Sequence, residues 1–405
     1  MILYKDAIHC VTSSASLLSS EKLKAELSLG RVLSQEIISP ESLPPFANSA
    51  MDGFAISFEK PLSLPFRKRV NGIIAAGDAL NKHRTATNEC WEIMTGAPVP
   101  SDCDTVVKIE DVQRDGEWVE FSKSVLKGQH IRKAGEDILS GNKIISSGTR
   151  LLPEHIMAFA ALGIKEVAVR CRPTVAVLST GAELNDDSNT ENGKIRNSTA
   201  PYLLNELTSL QLEKKFLGVV ADDPKAFLKL MESELTNNTD VILSTGAVSM
   251  GRYDFIASAL RELGAEILFH KVAIRPGKPL LFAKIGKTAF FGIPGNPIST
   301  VVGLRFFVEP YLRAIQGIEF EKPYRALLEN PFNKPAGMRC FSKAQLSIQR
   351  TQRTVRILPE QESFRVAPLL SAQCWAVLPE EGNFVEAQSE IDIYPLHSYT
   401  QKELL

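Results

Sequence analysis

The chain has 405 residues, of which 44% are hydrophobic, so it is long enough for several folded domains with normal cores. Its 46 lysines and arginines nearly balance 47 aspartates and glutamates, and the formal net charge is -1. This balance argues against a broad surface for nucleic acid or anionic membrane, so any basic patch must be local.

The six cysteines are scattered without a Cys-x-x-Cys pair, and the six histidines form no His-Glu-x-x-His pattern. Both features argue against a structural zinc site, and cysteines within apolar runs are typical of a reducing compartment. The first ten residues include Lys5, Asp6 and His9 and no uninterrupted apolar segment. We therefore expect neither a signal peptide nor a membrane-spanning helix, and a soluble, cytoplasmic protein.

The N-terminal region is predicted to be helical from Ser13 to Glu36, where leucines recur, with Gly30 as a break. Prolines at 40, 44 and 45 then exclude a helix and mark a boundary. Glycine and proline turns separate the short alternating runs that follow, at 70–75, 90–94, 105–109 and 118–121. This spacing predicts a small all-β domain. A helix is predicted next, over 151–162.

From Thr174 onward, strand patterns alternate with helix patterns. Strands are predicted at 175–178, 216–220 and 240–243, and helices at 201–210 and 224–235. This alternation predicts a doubly wound α/β domain with a largely parallel sheet. Two of the strands end in the same Ser-Thr-Gly sequence, at 179–181 and 244–246. We expect both loops to emerge on one edge of the sheet.

The stretch from Ser244 to Pro297 predicts an anion site. A strand runs into the glycine-containing loop 245–251 and then into a helix over 255–263, whose free N–H groups favour a phosphate. Asp254 occupies an N-cap position, where it could cap the helix or bind a metal beside the phosphate. Asp223, just before Pro224, is predicted to be a structural cap.

Cationic residues follow this loop closely. A strand predicted over 265–274 ends in Arg275-Pro-Gly-Lys278, so Lys271, Arg275 and Lys278 cluster around one turn. A strand over 288–294 then precedes a helix that is predicted to end near Glu309. Beyond Pro323 the helical pattern stops, and short runs such as 365–368 and 374–378 predict a second β domain.

Seven motifs occur in the order typical of one enzyme family. They are Leu43-Pro-Pro-Phe-Ala-Asn-Ser-Ala-Met-Asp-Gly53, Met94-Thr-Gly-Ala-Pro-Val-Pro100, Ala134-Gly-Glu-Asp137, Leu178-Ser-Thr-Gly-Ala-Glu-Leu184, Ser244-Thr-Gly-Ala-Val-Ser249, Arg275-Pro-Gly-Lys278 and Gly292-Ile-Pro-Gly-Asn-Pro297. On these motifs the chain resembles the molybdopterin molybdenumtransferases, which carry out the last step of molybdenum cofactor synthesis, and is similar to the gephyrin E domain.

The resemblance implies a multidomain α/β and β protein with four domains. These are a discontinuous helical dimerisation domain at 1–44 and 135–171, an inserted β domain at 45–134, a doubly wound α/β molybdopterin-binding domain at 172–322 and a C-terminal β barrel at 323–405. It also implies an elongated homodimer. The cleft would lie between the inserted β domain of one subunit and the α/β and C-terminal domains of the other.

The reaction implied by the resemblance takes molybdate and adenylylated molybdopterin, releases AMP and gives molybdenum cofactor. Carboxylates beside a pyrophosphate require a divalent cation, and their oxygens suit Mg²⁺. The predicted catalytic residues are Asp52, Asp137, Glu183, Asp254 and Lys271. The predicted metal ligands are Asp52, Glu183, Asp222 and Asp254. The predicted substrate-binding residues are Thr95, Thr180, Gly181, Ser244, Thr245, Gly246, Ser249, Arg275, Lys278, Pro294 and Asn296.

Three residues depart from the family pattern: Ala182, Ala247 and Arg275. A Cβ at Ala247 would narrow the approach of the loop to its ligand, whereas Arg275 keeps the usual positive charge with another geometry. Ala182 and Ala247 keep open the alternative of a non-catalytic molybdopterin-binding scaffold. A second alternative is a molybdopterin adenylyltransferase, because resembling α/β domains also carry out that reaction. Expected partners are an upstream adenylyltransferase and molybdoenzyme acceptors, with no nucleic acid and no membrane.

Overall fold

A computed structural model describes residues 1–58, 63–79, 84–185, 193–220, 223–246, 255–349 and 352–399. The chain forms two compact units. The larger unit comprises Met1–Glu21, Gly30–Ser34 and Ala168–Leu405, and the smaller unit comprises Lys22–Leu29 and Gln35–Val167. Within the described ranges, no helix is both long enough and apolar enough to cross a membrane.

The α-helices of the described residues are α1 (Tyr4–Ser13), α2 (Pro153–Ala161), α3 (Thr199–Ser209), α4 (Pro224–Thr236), α5 (Ile256–Glu262), α6 (Pro297–Gly303) and α7 (Glu309–Gln316). A π-helical turn, Leu304–Val308, joins α6 to α7. Short 3-10 helices occupy Ala25–Leu27, Ile109–Asp111 and Ala367–Ser371.

The strands of the smaller unit and of the segments that flank it are β1 (Ser20–Lys24), β2 (Ile37–Ile38), β3 (Asn48–Ser49), β4 (Gly53–Ile56), β5 (Phe66–Ile74), β6 (Glu89–Ile93), β7 (Thr105–Lys108), β8 (Val112–Asp115), β9 (Trp118–Phe121), β10 (Ile131–Arg132), β11 (Lys143–Ile145) and β12 (Glu166–Arg170). Six of them form one sheet in the order β7-β4-β6-β5-β9-β8. The small β domain predicted from the alternating runs is therefore confirmed.

The remaining strands belong to the larger unit. They are β13 (Thr174–Thr180), β14 (Leu184–Asn185), β15 (Ile195–Arg196), β16 (Glu213–Val220), β17 (Val241–Thr245), β18 (Glu266–His270), β19 (Ile274–Arg275), β20 (Leu281–Ile285), β21 (Thr288–Ile293), β22 (Tyr324–Leu328), β23 (Phe332–Asn333), β24 (Arg339–Gln349), β25 (Gln352–Ile357), β26 (Cys374–Leu378), β27 (Phe384–Val385) and β28 (Glu390–Pro395).

A six-stranded sheet organises the α/β part of the larger unit, in the order β16-β13-β17-β21-β20-β18. Its first four strands are parallel, and β20 and β18 are antiparallel to their neighbours. Val175 and Val177 pack into one hydrophobic core, and Ala176 and Leu178 pack into another on the opposite face. Burial on both faces explains the continuous apolar runs of these strands, and it confirms the predicted α/β domain.

The C-terminal strands close into a five-stranded barrel. The order is β24-β25-β22-β28-β26, and β24 also pairs with β26, which completes the ring. Its interior holds small and branched apolar side chains such as Ala344, Val355 and Ile393. The prediction of a second β domain is confirmed, except that the run at 365–368 leads into a 3-10 helix at Ala367–Ser371.

The prediction of a helix from Ser13 to Glu36 is wrong. The helix α1 ends at Ser13, and strand β1 and a 3-10 turn occupy part of the predicted range. The serines between residues 13 and 20 bond readily to nearby backbone and so favour caps and turns over helix interiors. Leu17 and Leu27 are exposed, so the leucine spacing does not mark one buried face.

Two boundaries after residue 264 were also predicted wrongly. The strand predicted over 265–274 breaks at Lys271, whose φ is +77°, and gives β18 and β19. The helix after Pro297 does not end near Glu309 but continues to Gln316. The wide π-helical turn before α7 accommodates Pro310, which lacks an N–H donor.

A buried ion-pair network joins the α/β part to the barrel. Arg305, in the π-helical turn, lies 2.7 Å from a carboxylate oxygen of Glu321 and 3.3 Å from Glu309. The Arg305 guanidinium also donates to the Pro395 carbonyl oxygen at the end of β28. Removing one partner from such a network leaves a buried charge unpaired, which costs about 3–5 kcal/mol. The network therefore fixes where the barrel lies against α6 and α7.

We predict that Glu309→Gln reduces the pH dependence of thermal unfolding. Burial raises the pKa of Glu309 from 4.5 to about 7, against the opposing effect of Arg305. The folded state thus binds the Glu309 carboxyl proton more tightly than the unfolded state does. Protonation of Glu309 therefore contributes stability that is fully present below about pH 4.5 and is lost as the pH rises through about 7. The wild-type melting temperature should fall across this interval more steeply than that of the variant.

The matched control is Glu319→Gln, because Glu319 is exposed and pairs with exposed Lys322. Its melting curve should follow that of the wild type at each pH. Parallel pH profiles for wild type and Glu309→Gln would contradict the prediction.

Candidate active site

The two Ser-Thr-Gly sequences lie side by side, as predicted. The strands β13 and β17 are parallel neighbours, and Ser179 is in register with Thr245. The strand β21 pairs in parallel with the other side of β17, so its successors Pro294, Gly295 and Asn296 emerge at the same edge. The carboxyl ends of three adjacent parallel strands therefore form one site, where α/β sheets bind ligands.

Hydroxyl groups link these strand ends to the start of α3. Thr245 Oγ1 donates to Ser179 Oγ at 3.1 Å, and Thr199 Oγ1 donates to Thr245 Oγ1 at 3.3 Å. Thr180 Oγ1 donates to the Thr245 carbonyl oxygen at 3.1 Å, and Asn197 Nδ2 donates to Ser179 Oγ. The hydroxyl residues are buried, so this network fixes the floor of the site.

Glycine is required where the strand ends approach one another. A Cβ on Gly246, whose φ is +93°, would lie 2.3 Å from the Thr180 carbonyl oxygen. At Gly295, by contrast, a Cβ would lie 3.5 Å from the Gly246 Cα atom, which is an ordinary van der Waals distance, so a side chain has room there. At Gly181 a Cβ would lie 2.7 Å from Glu183 Oε2, so the missing side chain makes room for that carboxylate.

These strand ends enclose a cavity of about 530 Å³, which is within the usual range for small-molecule sites. It is lined by Thr180, Glu183, Leu184, Ile195, Arg196, Ser198, Thr199, Thr245, Gly246, Pro279, Pro294, Gly295, Asn296, Pro297 and Phe364. The lining combines hydroxyl groups, one carboxylate and one guanidinium with an aromatic ring from the C-terminal region. Such a surface suits a ligand that carries both phosphate and a flat ring.

Six of the predicted site residues line this cavity: Thr180, Glu183, Thr245, Gly246, Pro294 and Asn296. Gly181 lies between two of them but does not line the cavity. Ser244 alternates with Thr245 along β17, so it lies on the opposite face of the sheet, with Ile242. The buried Ser244 hydroxyl has no hydrogen-bond partner among the described residues.

None of the three predicted cations, Lys271, Arg275 and Lys278, lines the cavity. Arg275 and Lys278 are exposed, and Lys271 is half-buried at the strand break. The Lys278 carbonyl oxygen accepts from the Val272 N–H, which closes the turn that carries these residues. Pro279 directly follows Lys278 and does line the cavity. The turn that carries these cations therefore adjoins the cavity at Pro279.

Asp52 and Thr95 lie together in the smaller unit. Asp52 Oδ1 accepts hydrogen bonds from the Thr95 backbone N–H at 2.7 Å and from Thr95 Oγ1 at 2.8 Å. These bonds, first the backbone N–H and then the hydroxyl, lower the pKa of Asp52 below its ordinary value of 3.8. Asp52 is thus held as a carboxylate. The other predicted carboxylate of this unit, Asp137, is exposed and donates its backbone N–H to the Leu43 carbonyl oxygen.

Asp222, Ser249 and Asp254 lie outside the described residues, as does Ala247. Asp223 is confirmed as the cap of α4, because its Oδ1 accepts from the Lys225 N–H at 2.9 Å. Among the described residues, no three His, Cys, Asp or Glu side chains are grouped to hold a metal. The cavity nevertheless offers oxygen donors from Glu183 and from the hydroxyl side chains, and oxygen donors fit Mg²⁺.

The sequence reasoning missed part of the cavity wall. Arg196 at the end of β15, Ser198 just before α3 and Thr199 at the start of α3 line it. A cluster of Asn, Ser and Thr just before a helix is a recognisable start signal, which could have indicated this segment. Phe364 comes from a loop between β25 and β26, and its local sequence carries no comparable signal.

We predict that Gly246→Ala destabilises the protein far more than Gly218→Ala. Both glycines have a φ of +93°, so each alanine costs about 1 kcal/mol from the backbone angle alone. A Cβ at Gly218 meets no atom within 4 Å, whereas one at Gly246 meets the Thr180 carbonyl oxygen. Denaturant unfolding should therefore show a further loss of about 1–3 kcal/mol for Gly246→Ala. Equal losses for the two variants would contradict this account of the strand ends.

Family comparisons cover nearly the whole chain. The family described as "MoeA N-terminal region (domain I and II)" matches residues 2–163. The family "Probable molybdopterin binding domain" matches residues 176–314, which include the strands that build the cavity. The family "MoeA C-terminal region (domain IV)" matches residues 325–396.

Relatives and solved structures agree with these matches. A protein of Synechococcus elongatus named molybdopterin molybdenumtransferase is 36% identical over 90% of this chain and 92% of its own. A Staphylococcus aureus protein of that name is 29% identical over 99% and 97%. The crystal structure of the molybdopterin biosynthesis MoeA protein from Pyrococcus horikoshii OT3 covers 97% of this chain and 99% of its own, with a TM-score of 0.82 and 26% identity. The chain belongs to the molybdopterin molybdenumtransferase family.

Proposed function

We propose that the protein transfers molybdenum from molybdate to adenylylated molybdopterin, with release of AMP, at the cavity formed by β13, β17 and β21. The observation that carries this proposal is the pair of Ser-Thr-Gly strand ends that enclose the cavity. The relatives that match nearly the full chain are named for this transfer. We further propose a cytoplasmic protein organised in the four domains given above, which receives its substrate from an adenylyltransferase and supplies molybdoenzymes.

The substrate would be held chiefly by the cavity floor and by the adjacent cations. Thr180, Thr245 and Asn296 offer hydroxyl and amide groups to phosphate oxygens at the edge of the sheet. In this proposal Gly181, Gly246 and Pro294 shape the backbone that approaches the ligand. Ser244 and Ser249, from the Ser244–Ser249 motif, remain proposed substrate-binding residues.

Charge on the breaking pyrophosphate link has to be stabilised. Lys271, Arg275 and Lys278 would bind phosphate or molybdate oxygens and favour the developing negative charge. Arginine at 275 offers two parallel hydrogen bonds to an oxyanion, which the lysine usual in the family does not. Mg²⁺, when bound by Glu183, Asp222 and Asp254, would offset the charge that these carboxylates share with the substrate phosphates.

We propose that the protein is a homodimer and that Asp52, Thr95 and Asp137 of the partner subunit complete each site. The Asp52 carboxylate is already oriented and kept ionised by Thr95, as a ligand to Mg²⁺ or a group that orients molybdate would need to be. The exposure of Asp52 and Asp137 leaves both carboxylates accessible to a second chain.

The test is AMP release by the purified protein. Adenylylated molybdopterin should give AMP when molybdate and Mg²⁺ are both supplied, and removal of Mg²⁺ by a chelator should stop the reaction. Asp52→Ala, Asp222→Ala and Asp254→Ala should each lower kcat by about 100-fold or more, because each removes a ligand of the Mg²⁺ that would offset the charge of the reacting phosphates. Absence of AMP release from the wild type would contradict the proposed function.

The neighbouring residue Asp223 gives a matched control. Asp223→Ala should cost about 1 kcal/mol of stability through loss of the α4 cap and leave AMP release nearly unchanged. An equal loss of activity in Asp222→Ala and Asp223→Ala would show that the segment, rather than one carboxylate, is what the reaction requires.

Complementation between two inactive variants tests the shared site. If each site draws Asp52 from one subunit and Lys271 from the other, then a heterodimer of Asp52→Ala and Lys271→Ala contains one intact site. Equal mixing with subunit exchange should restore about a quarter of the wild-type activity, because half of the dimers are mixed and each has one of two sites intact. A site built within a single subunit would give no recovery.

A further inference from the structure

The loop between β25 and β26 supplies the aromatic side of the cavity. Residues 358–366 of this loop form the cavity loop. Phe364 lines the cavity and yet keeps 62% of its surface exposed. A large exposed aromatic side chain at a cavity rim is an apolar surface that a flat ligand ring can cover.

The cavity loop is tied to the start of α6. The Ser363 carbonyl oxygen accepts a hydrogen bond from the Ile298 backbone N–H at 2.9 Å. Ile298 directly follows Pro297, which lines the cavity together with Asn296. The loop position therefore sets the distance between the Phe364 ring and the strand ends.

A fully buried lysine on β24 anchors the same loop. Lys343 has none of its surface exposed, and its Nζ donates to the carbonyl oxygens of Glu360 at 3.0 Å and of Arg365 at 3.2 Å. A buried ammonium group needs such partners, so the loop carbonyls and the lysine hold each other in place. Bonds at both ends of a six-residue segment leave it little freedom.

Gln361 adds a second anchor between the loop and β24. Its Oε1 accepts from the Lys343 backbone N–H, and its Nε2 donates to the carbonyl oxygens of Lys343 at 2.9 Å and Leu358 at 2.7 Å. Within the loop, Arg365 pairs with Glu360 and Glu362, each at 3.1 Å. The loop is thus a preformed wall.

We propose that the Phe364 ring contacts a planar nitrogen heterocycle of the substrate and that Lys343 is the positioning residue that holds Phe364 at the cavity. This assignment rests on the proposed function, because adenylylated molybdopterin contains two such rings, the adenine and the pterin. Stacking on a preformed aromatic wall adds binding without the cost of ordering a loop.

The first test is the kinetics of Phe364→Ala with adenylylated molybdopterin. KM for this substrate should rise about tenfold, which corresponds to about 1.4 kcal/mol of lost binding, while kcat stays within about twofold. Phe364→Trp should keep a KM close to that of the wild type. Phe384→Ala is the matched control, because Phe384 is also exposed in the C-terminal region but does not line the cavity. An unchanged KM for Phe364→Ala would overturn the assignment.

Binding of AMP alone separates the two rings. Calorimetry should show about a tenfold weaker Kd for Phe364→Ala if the adenine packs on Phe364, and an unchanged Kd if the pterin does. Either result, together with the raised KM, supports the contact and identifies the ring. Wild-type AMP release is measured first, so its absence would contradict the proposed function, whereas normal release with an unaffected Phe364→Ala variant contradicts only this inference.

Lys343 is tested through its effect on Phe364. Lys343→Met should raise KM about as much as Phe364→Ala, the double variant should be no worse than either, and Lys343→Arg should restore KM. If Lys343→Met fails to fold, Gln361→Ala is the second variant. It removes other hydrogen bonds between the cavity loop and β24, leaves the buried Lys343 charge in place and should raise KM in the same way. A folded Lys343→Met variant with wild-type KM, or additive effects in the double variant, would overturn the positioning role.

Discussion

The close approach of parallel strand ends, which only glycine permits, is the constraint on which the candidate site depends. Gly246 packs its backbone so closely against the Thr180 carbonyl oxygen that a Cβ would lie 2.3 Å from that oxygen. The backbone spacing of β13, β17 and β21 therefore determines the position of the cavity floor. Side-chain hydroxyls such as that of Thr245 then bind to one another across this floor, which adds rigidity at a place where a ligand needs preformed donors.

Two buried cations, Arg305 and Lys343, determine how the barrel is positioned at the same site. Arg305 is paired with carboxylates and bonds the end of β28, so it sets the position of the barrel as a body. Lys343 binds backbone carbonyls and so sets the position of one loop of that barrel. A buried charge without its partners is strongly destabilising, so each cation admits essentially one arrangement of its surroundings. The hydrogen bonds of Lys343 therefore fix the position of the cavity loop that carries Phe364.

The sequence predicted those features that repeat locally, and it failed where contacts distant in the chain decide the outcome. The buried strands and the paired Ser-Thr-Gly ends were visible because parallel strands, buried on both faces, are continuously apolar. The N-terminal helix was misplaced because the leucine spacing near Leu17 does not mark a buried face. Phe364 could not be identified, because bonds from residues distant in the chain, such as Lys343 and Ile298, hold its loop at the cavity.

The strand break at Lys271 shows how the turn with the three predicted cations joins the cavity wall at Pro279. Lys271 has a φ of +77°, a conformation that costs a residue with a Cβ about 1–2 kcal/mol. Its N–H donates to the Leu280 carbonyl oxygen, and its own carbonyl oxygen accepts from the Ile2 N–H, so bonds from both sides hold it there. The break ends β18 in the α/β sheet and lets β19 join β24 in the barrel sheet. An uninterrupted strand would have carried the chain onward along the sheet edge. The broken strand instead turns back through Lys278 to Pro279, which lines the cavity.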